Sequence, residues 1–188
     1  MATEHEVSLA LKLAYDVFLD VENVIESDVL PELLSKGNTN SLSGTAQKMK
    51  STAKANRLTQ DTDHRIDEVL KRCSQLSDSS PNASLADGTT PDILCARALV
   101  ARARLIELVV SAMNFVKRKK AYREAIDALE QSIGLHPNQE AYLHLGICNT
   151  RLKEKATAIA AFRKCIELDA DSDQALEAAK NLRKLGQM

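Results

Sequence analysis

Two stretches of this 188-residue chain repeat each other at a constant distance. "EAIDALEQSIGLHP", Glu124 to Pro137, lies over "TAIAAFRKCIELDA", Thr157 to Ala170, with an offset of 33 residues. The overlay puts Ala125 on Ala158, Ile126 on Ile159, Leu129 on Phe162, Ser132 on Cys165, Leu135 on Leu168 and Pro137 on Ala170. Apolar residues at helical spacing, recurring at this period, mean one supersecondary unit written twice. Neither copy buries its apolar face alone. That constrains the fold more than any bulk property.

Around the repeat the pattern predicts helices over roughly 121–134, 139–152, 155–168 and 172–185, each with an apolar stripe of period 3.6. Connections of two to five residues force antiparallel neighbours. A longer helix is expected over 91–118, with Thr90 as N-cap and Pro91 as first residue. Its apolar residues cover most of the circumference, so other helices should surround it. Lys117–Lys120 ("KRKK") is expected to mark the turn after it. In the last helix Ala175, Leu176, Ala179, Leu182 and Leu185 form the apolar face.

Towards the N-terminus, Val7, Leu11, Ala14, Phe18, Val21 and Ile25 make a 4-3-4-3-4 seam like that of a coiled coil, widened by Leu13, Val17 and Val24. Pro31 should kink or restart this helix and Gly37 should cap it. Residues 41–76 are helix-compatible, with Leu42, Met49, Leu58, Ile66, Val69, Cys73 and Leu76 as core candidates and Asp61 or Asp63 as N-cap of the stronger second half. The domain reading is therefore 1–76 helical and heptad-patterned, 77–90 a polar loop or linker, and 91–188 the repeat region. Few aromatics and no Trp argue against sheet, so the fold class is all-α, built of antiparallel helical hairpins packed with an N-terminal long-helix region.

Charge divides the chain sharply. Residues 1–34 carry eight acids and one base, whereas residues 93–123 carry eight bases and one acid, Glu107. Either these are two solvated faces, or the acidic segment lies along the basic one, within the chain or across a dimer.

The repeat resembles the tetratricopeptide family, whose 34-residue helix–turn–helix carries W-x₂-L-G-x₂-Y, then A-x₃-F, then proline. The better copy spans about 139–172, where Tyr142, Leu145 and Gly146 match the first cluster and Ala158 and Phe162 the second. The earlier copy, about 106–138, matches through Tyr122, Ala125, Ile126, Leu129 and Pro137, with Ala112, Met113 and Val116 in degenerate slots of its first helix. Asn149 replaces the tyrosine of the second copy and Ala170 its proline. The resemblance implies two stacked repeats and a capping helix. It gives Gly146 to close helix approach, Ala158 to the helix crossing and Phe162 to the space between repeats.

It also implies a groove lined by the first helix of each repeat. Carried across by register, that groove receives Glu107, Val110, Asn114, Lys117 and Arg118, then Glu140, Leu143, Ile147, Thr150 and Arg151, then Gln174, Glu177 and Asn181 from the cap. An apolar floor beside Lys117, Arg118 and Arg151 would suit a helix or peptide with an apolar stripe and acidic residues. The resulting function is a non-catalytic interaction module, an adaptor or small chaperone-like protein. Two alternatives stay open: a self-associating protein, possible as a homodimer, whose groove is filled by its own N-terminal helix, and a nucleic-acid accessory protein using residues 117–123. The family's carboxylate clamp fits poorly, with only Asn114 in place and Val110, His144 and Asp173 at other clamp positions.

Nothing in the sequence supplies catalysis or a cofactor. There is no phosphate-cradling glycine loop, and His5, His64, His136 and His144 stand at no metal-ligand spacing with one another or with a cysteine. Cys148 and Cys165 are expected in the core, and the acids Asp169, Asp171 and Asp173 at a helix start, where the dipole favours them. Cys73, Cys95, Cys148 and Cys165 read as reduced thiols of a cytoplasmic protein, which leaves the sequon at Asn82 silent. No signal sequence or membrane span is expected. A sequence pI near 6.4 argues against a general nucleic-acid footprint.

Overall fold

A computed structural model describes residues 3–29, 44–110 and 115–186. Among these residues every regular element is helical: α1 (Glu4–Val24) followed by a π-helical turn (Ile25–Val29), α2 (Gly44–Ser79), α3 (Pro91–Val110), α4 (Phe115–Leu135), α5 (Gln139–Leu152), α6 (Lys155–Leu168) and α7 (Asp173–Lys184). None of these helices is long and apolar enough to cross a membrane. The expectations at Pro31, Gly37, Leu42, Ala112, Met113 and Asn114, and for the Met49 side chain, lie outside the described residues. The chain forms two compact units, Met1–Leu94 and Cys95–Met188.

In the N-terminal unit α1 begins with a capping box. The Thr3 hydroxyl accepts from the Glu6 amide at 3.3 Å, and the Thr3 amide donates to the Glu6 carboxylate at 2.7 Å. α1 packs along α2. The seam is where the spacing placed it: Leu11, Ala14, Phe18, Val21 and Ile25 are buried, as are Ile66, Val69 and Cys73 of α2. Each large side chain so buried contributes roughly 1.5–3 kcal/mol.

Leu13, predicted to widen the seam, is instead exposed together with Leu9 and Leu19, because a two-helix contact covers only the narrow stripe. α2 also runs unbroken through Asp61 and Asp63, so neither is a cap. Both are exposed there, which spares an interior aspartate any desolvation. Asp20 of α1 pairs with Arg65 of α2. The connection from Ser80 to Thr90 is tied by its own backbone, with Leu85 N–H donating to Thr89 O at 2.9 Å and Thr89 N–H to the Asp87 carboxylate at 2.9 Å. That bond holds the Asp87 carboxyl below its ordinary value. Thr90 is the N-cap as expected, accepting from Ile93 N–H at 3.3 Å.

In the C-terminal unit α5 and α6 have the boundaries that the pattern predicts, and the reason is capping. Asn138 accepts from Ala141 N–H at 2.8 Å to open α5. Lys153, at φ 66° and ψ 21°, stops it in the left-handed conformation, and the two-residue turn Lys153–Glu154 starts α6. An L-residue held there costs about 1–2 kcal/mol that glycine would not. Lys153→Gly is therefore expected to raise stability by about 1 kcal/mol, read as a higher Tm without loss of helicity.

Two expectations are overturned. Lys117–Lys120 do not form a turn: they lie inside the helical span Phe115–Leu135 of α4. Lysine and arginine are strong helix formers, and charge alone does not stop a helix. In α7 the buried residues are Ala175, Ala178 and Leu182, so its inward face is rotated and Leu176 is exposed.

Candidate functional site

The repeat is visible as a burial pattern. From Arg123 to Pro137 every residue is buried, half-buried or exposed to the same class as the residue 33 positions later, Ala156 to Ala170. Ala125 and Ala158, Leu129 and Phe162, and Ser132 and Cys165 are fully buried pairs. Leu135 and Leu168 are both half-open to solvent at the ends of α4 and α6.

The first core layer joins Val100 and Ala103 of α3 to Ala125 and Leu129 of α4 and to Ala141, Leu145 and Cys148 of α5, with Tyr122 and Tyr142 packed against it. Ser132, buried in α4, donates to Ala96 O of α3 at 2.8 Å and accepts from Asn138 at 3.1 Å, which satisfies its hydroxyl twice. The second layer joins Leu143 of α5 to Ala158, Phe162 and Cys165 of α6 and to Ala178 and Leu182 of α7.

Tyr142 packs against both layers, and Gly146 stands one helical turn on from it. A Cβ built there would stand 2.4 Å from Phe162 Cε1, closer than any real side chain tolerates, so glycine is required for this helix approach. Tyr142, Gly146, Ala158 and Phe162 are thus brought together between α5 and α6. Asn149, in the slot of the missing tyrosine, is buried and donates to Leu145 O at 2.8 Å. Gln139 of α5 donates to Cys165 O at 2.9 Å and to Asp169 O at 2.5 Å, closing the end of α6.

α5 touches α7 as well as α6. α3 and α5 are bridged by two polar contacts, Arg104 to Glu140 at 3.3 Å and Glu107 to His144 Nδ1 at 2.9 Å. The Cys148 thiol donates to the same Glu107 oxygen at 3.4 Å. Burial, reinforced by that carboxylate, pushes the Cys148 thiol well above its ordinary range, and burial alone pushes Cys165 up to about 11. Both stay protonated near neutral pH, so neither is an activated nucleophile. Burial likewise raises the Tyr122 hydroxyl, partly offset by Arg151.

The sequence reading passed over this cluster. The expectation that no histidine stands at ligand spacing from a cysteine fails at His144 and Cys148, four residues apart on one helix face, and Glu107 is the single acid of a basic stretch. Those two signals were available. The trio is a hydrogen-bonded bridge, and among the described residues no group of three or more His, Cys, Asp or Glu is arranged to hold a metal ion.

The residues assigned by register to a groove are distributed as follows. Val110, the last described residue of α3, is buried, and Leu143 belongs to the second core layer, with Ile147 half-buried against it. Lys117 and Arg118 are exposed in the first turns of α4, and Arg151 is exposed at the end of α5. Tyr122 lies within the electrostatic reach of both Arg118 and Arg151, so those two cations share one end of the unit.

Comparison with known proteins matches residues 139–172 to the tetratricopeptide repeat family model. No curated protein and no solved structure matches the chain. The matched span is α5, α6 and the turn into α7, the segment that holds the Gly146–Phe162 contact. A tetratricopeptide repeat suggests a protein–protein interaction module.

Proposed function

We propose that the C-terminal unit is a non-catalytic adaptor or small chaperone-like module that receives a helix or peptide on the side lined by α3, α5 and α7. The observation that carries this reading is the Gly146–Phe162 approach. It sets α5 and α6 at a close pairing, which a repeat that presents its first helices on one side requires. On that side the ligand would meet half-buried Ile147, the open Thr150 and Arg151 at the end of α5, and the half-buried Gln174, Glu177 and Asn181 of α7. Arg104, Glu107, Glu140 and His144 already satisfy one another, so they fix the surface rather than seek a partner. Arg151 favours a ligand with acidic residues beside its apolar stripe.

A photo-crosslinking side chain tests this directly. Introduced at Thr150 or Asn181 it is expected to capture a polypeptide from the native host. At Arg163, exposed on α6, it is expected to capture none. Equal capture from Arg163, or no capture from either position on α5 and α7, would sink the assignment of this side.

A further inference from the structure

The topology of the C-terminal unit sorts charge by edge. α4, α5, α6 and α7 are neighbours joined by short turns. Antiparallel pairing therefore brings the start of α4, the end of α5, the start of α6 and the end of α7 to one edge. Lys117 and Lys120 of α4, Arg151, Lys153 and Lys155 around the α5–α6 turn, and Lys184 of α7 are all exposed there. At the opposite edge, where α6 ends and α7 begins, Glu167, Asp169, Asp171 and Asp173 are exposed.

We propose that the basic edge is a docking strip for an extended acidic protein segment. Packed helices sit about 8–10 Å apart, so a strip running across α4, the α5–α6 turn and α7 is roughly 20–30 Å long. A strand-like segment rises about 3.3 Å per residue, so roughly six to nine residues would follow its length. Glu154 lies between Lys153 and Lys155, and Glu124 stands 3.6 Å from Lys120. They lower the local excess without reversing it. The acidic opposite edge repels the same ligand and so fixes which edge it finds.

A nucleic acid is the less favoured polyanion. Among the described side chains, Tyr122, which lies within electrostatic reach of Arg118 and Arg151, is half-buried against the first core layer rather than standing clear as a stacking platform. The whole chain is also net −1, without the positive excess that phosphate binding calls for. This strip stands on topology and charge and shares Arg151 with the side assigned above to a helical ligand.

The test uses the full chain and a fluorescent oligoglutamate, with an oligonucleotide as rival probe. Oligoglutamate is expected to bind at low salt and to be released as salt shortens the screening length. Arg151→Glu, Lys153→Glu and Lys155→Glu together should weaken binding by about tenfold or more. The reversal Arg163→Glu with Lys164→Glu, at exposed sites in the second half of α6, should leave binding near that of the parent chain. If the edge triple variant misfolds by circular dichroism, the Arg151→Gln, Lys153→Gln, Lys155→Gln variant replaces it and should show a smaller loss of the same kind. The proposal is overturned by absence of low-salt binding, by equal losses in the off-edge variant, or by preference for the oligonucleotide. Salt-sensitive self-association that the edge variant abolishes would also overturn it, since a second copy would then be the occupant.

Discussion

Phe162→Ala is expected to lower the stability of α5, α6 and α7 by about 3–5 kcal/mol, the usual cost of emptying a fully buried phenylalanine site. The ring is 0% exposed and stands in a layer made of Leu143, Ala158, Cys165, Ala178 and Leu182. Three helices meet on it, so the layer cannot collapse around the void without moving all three. Total stabilities of domains run about 5–15 kcal/mol, so this single change removes a large part of the margin. Amide hydrogen exchange reads it locally: protection in α5 and α6 should fall by several orders of magnitude, while α1 and α2 keep theirs. Leu129→Ala, at the matching position of the first copy, should act on α4 and α5 by about 2–5 kcal/mol. Unchanged protection around Phe162 would mean that the two copies are not stacked through these residues.

Much of this packing was legible because the relevant signals are local. Apolar spacing placed α5 and α6 to the residue, with Asn138 and the turn at Lys153–Glu154 as physical stops. The tetratricopeptide register singled out Gly146, Ala158 and Phe162, and these meet. The seam of α1 was read from spacing alone, and five of its six positions are buried.

The misses share a cause: they depend on partners distant in sequence. Arg104 with Glu140, and Glu107 with His144, lie 36 and 37 residues apart, so no window shows them as pairs. Leu143 reads as an open groove residue until α7 is folded over it, and Leu176 reads as core until the rotation of α7 is set by Ala175, Ala178 and Leu182. Lys117–Lys120 misled for a different reason. Their charge suggested a surface corner, yet their helix propensity lets α4 start before them and carry them through.

Gly146→Ala separates packing from propensity, because the two act in opposite directions at this position. Alanine is about 0.8–1 kcal/mol better than glycine inside a helix, so propensity alone predicts a gain. The new Cβ would lie 2.4, 2.6 and 2.7 Å from Cε1, Cδ1 and Cζ of Phe162, and that ring has no solvent side to retreat into. Overpacking of this kind costs about 1–3 kcal/mol, and contacts this short argue for the upper end. The net expectation is a loss of about 1–2 kcal/mol. Gly134, where a Cβ would have nothing within 4 Å, provides the control: Gly134→Ala should be neutral or slightly stabilising. In a Phe162→Leu background the ring is gone, the clash is relieved, and Gly146→Ala should turn neutral or stabilising by up to about 1 kcal/mol. The difference implies a coupling of about 1–3 kcal/mol between the two positions, within the range for residues in contact. Urea midpoints of the four chains in this cycle measure it. Equal losses from Gly146→Ala with phenylalanine and with leucine at position 162 would show that α5 and α6 do not approach each other through this contact, and the side of the unit assigned to a ligand would lose its geometric basis.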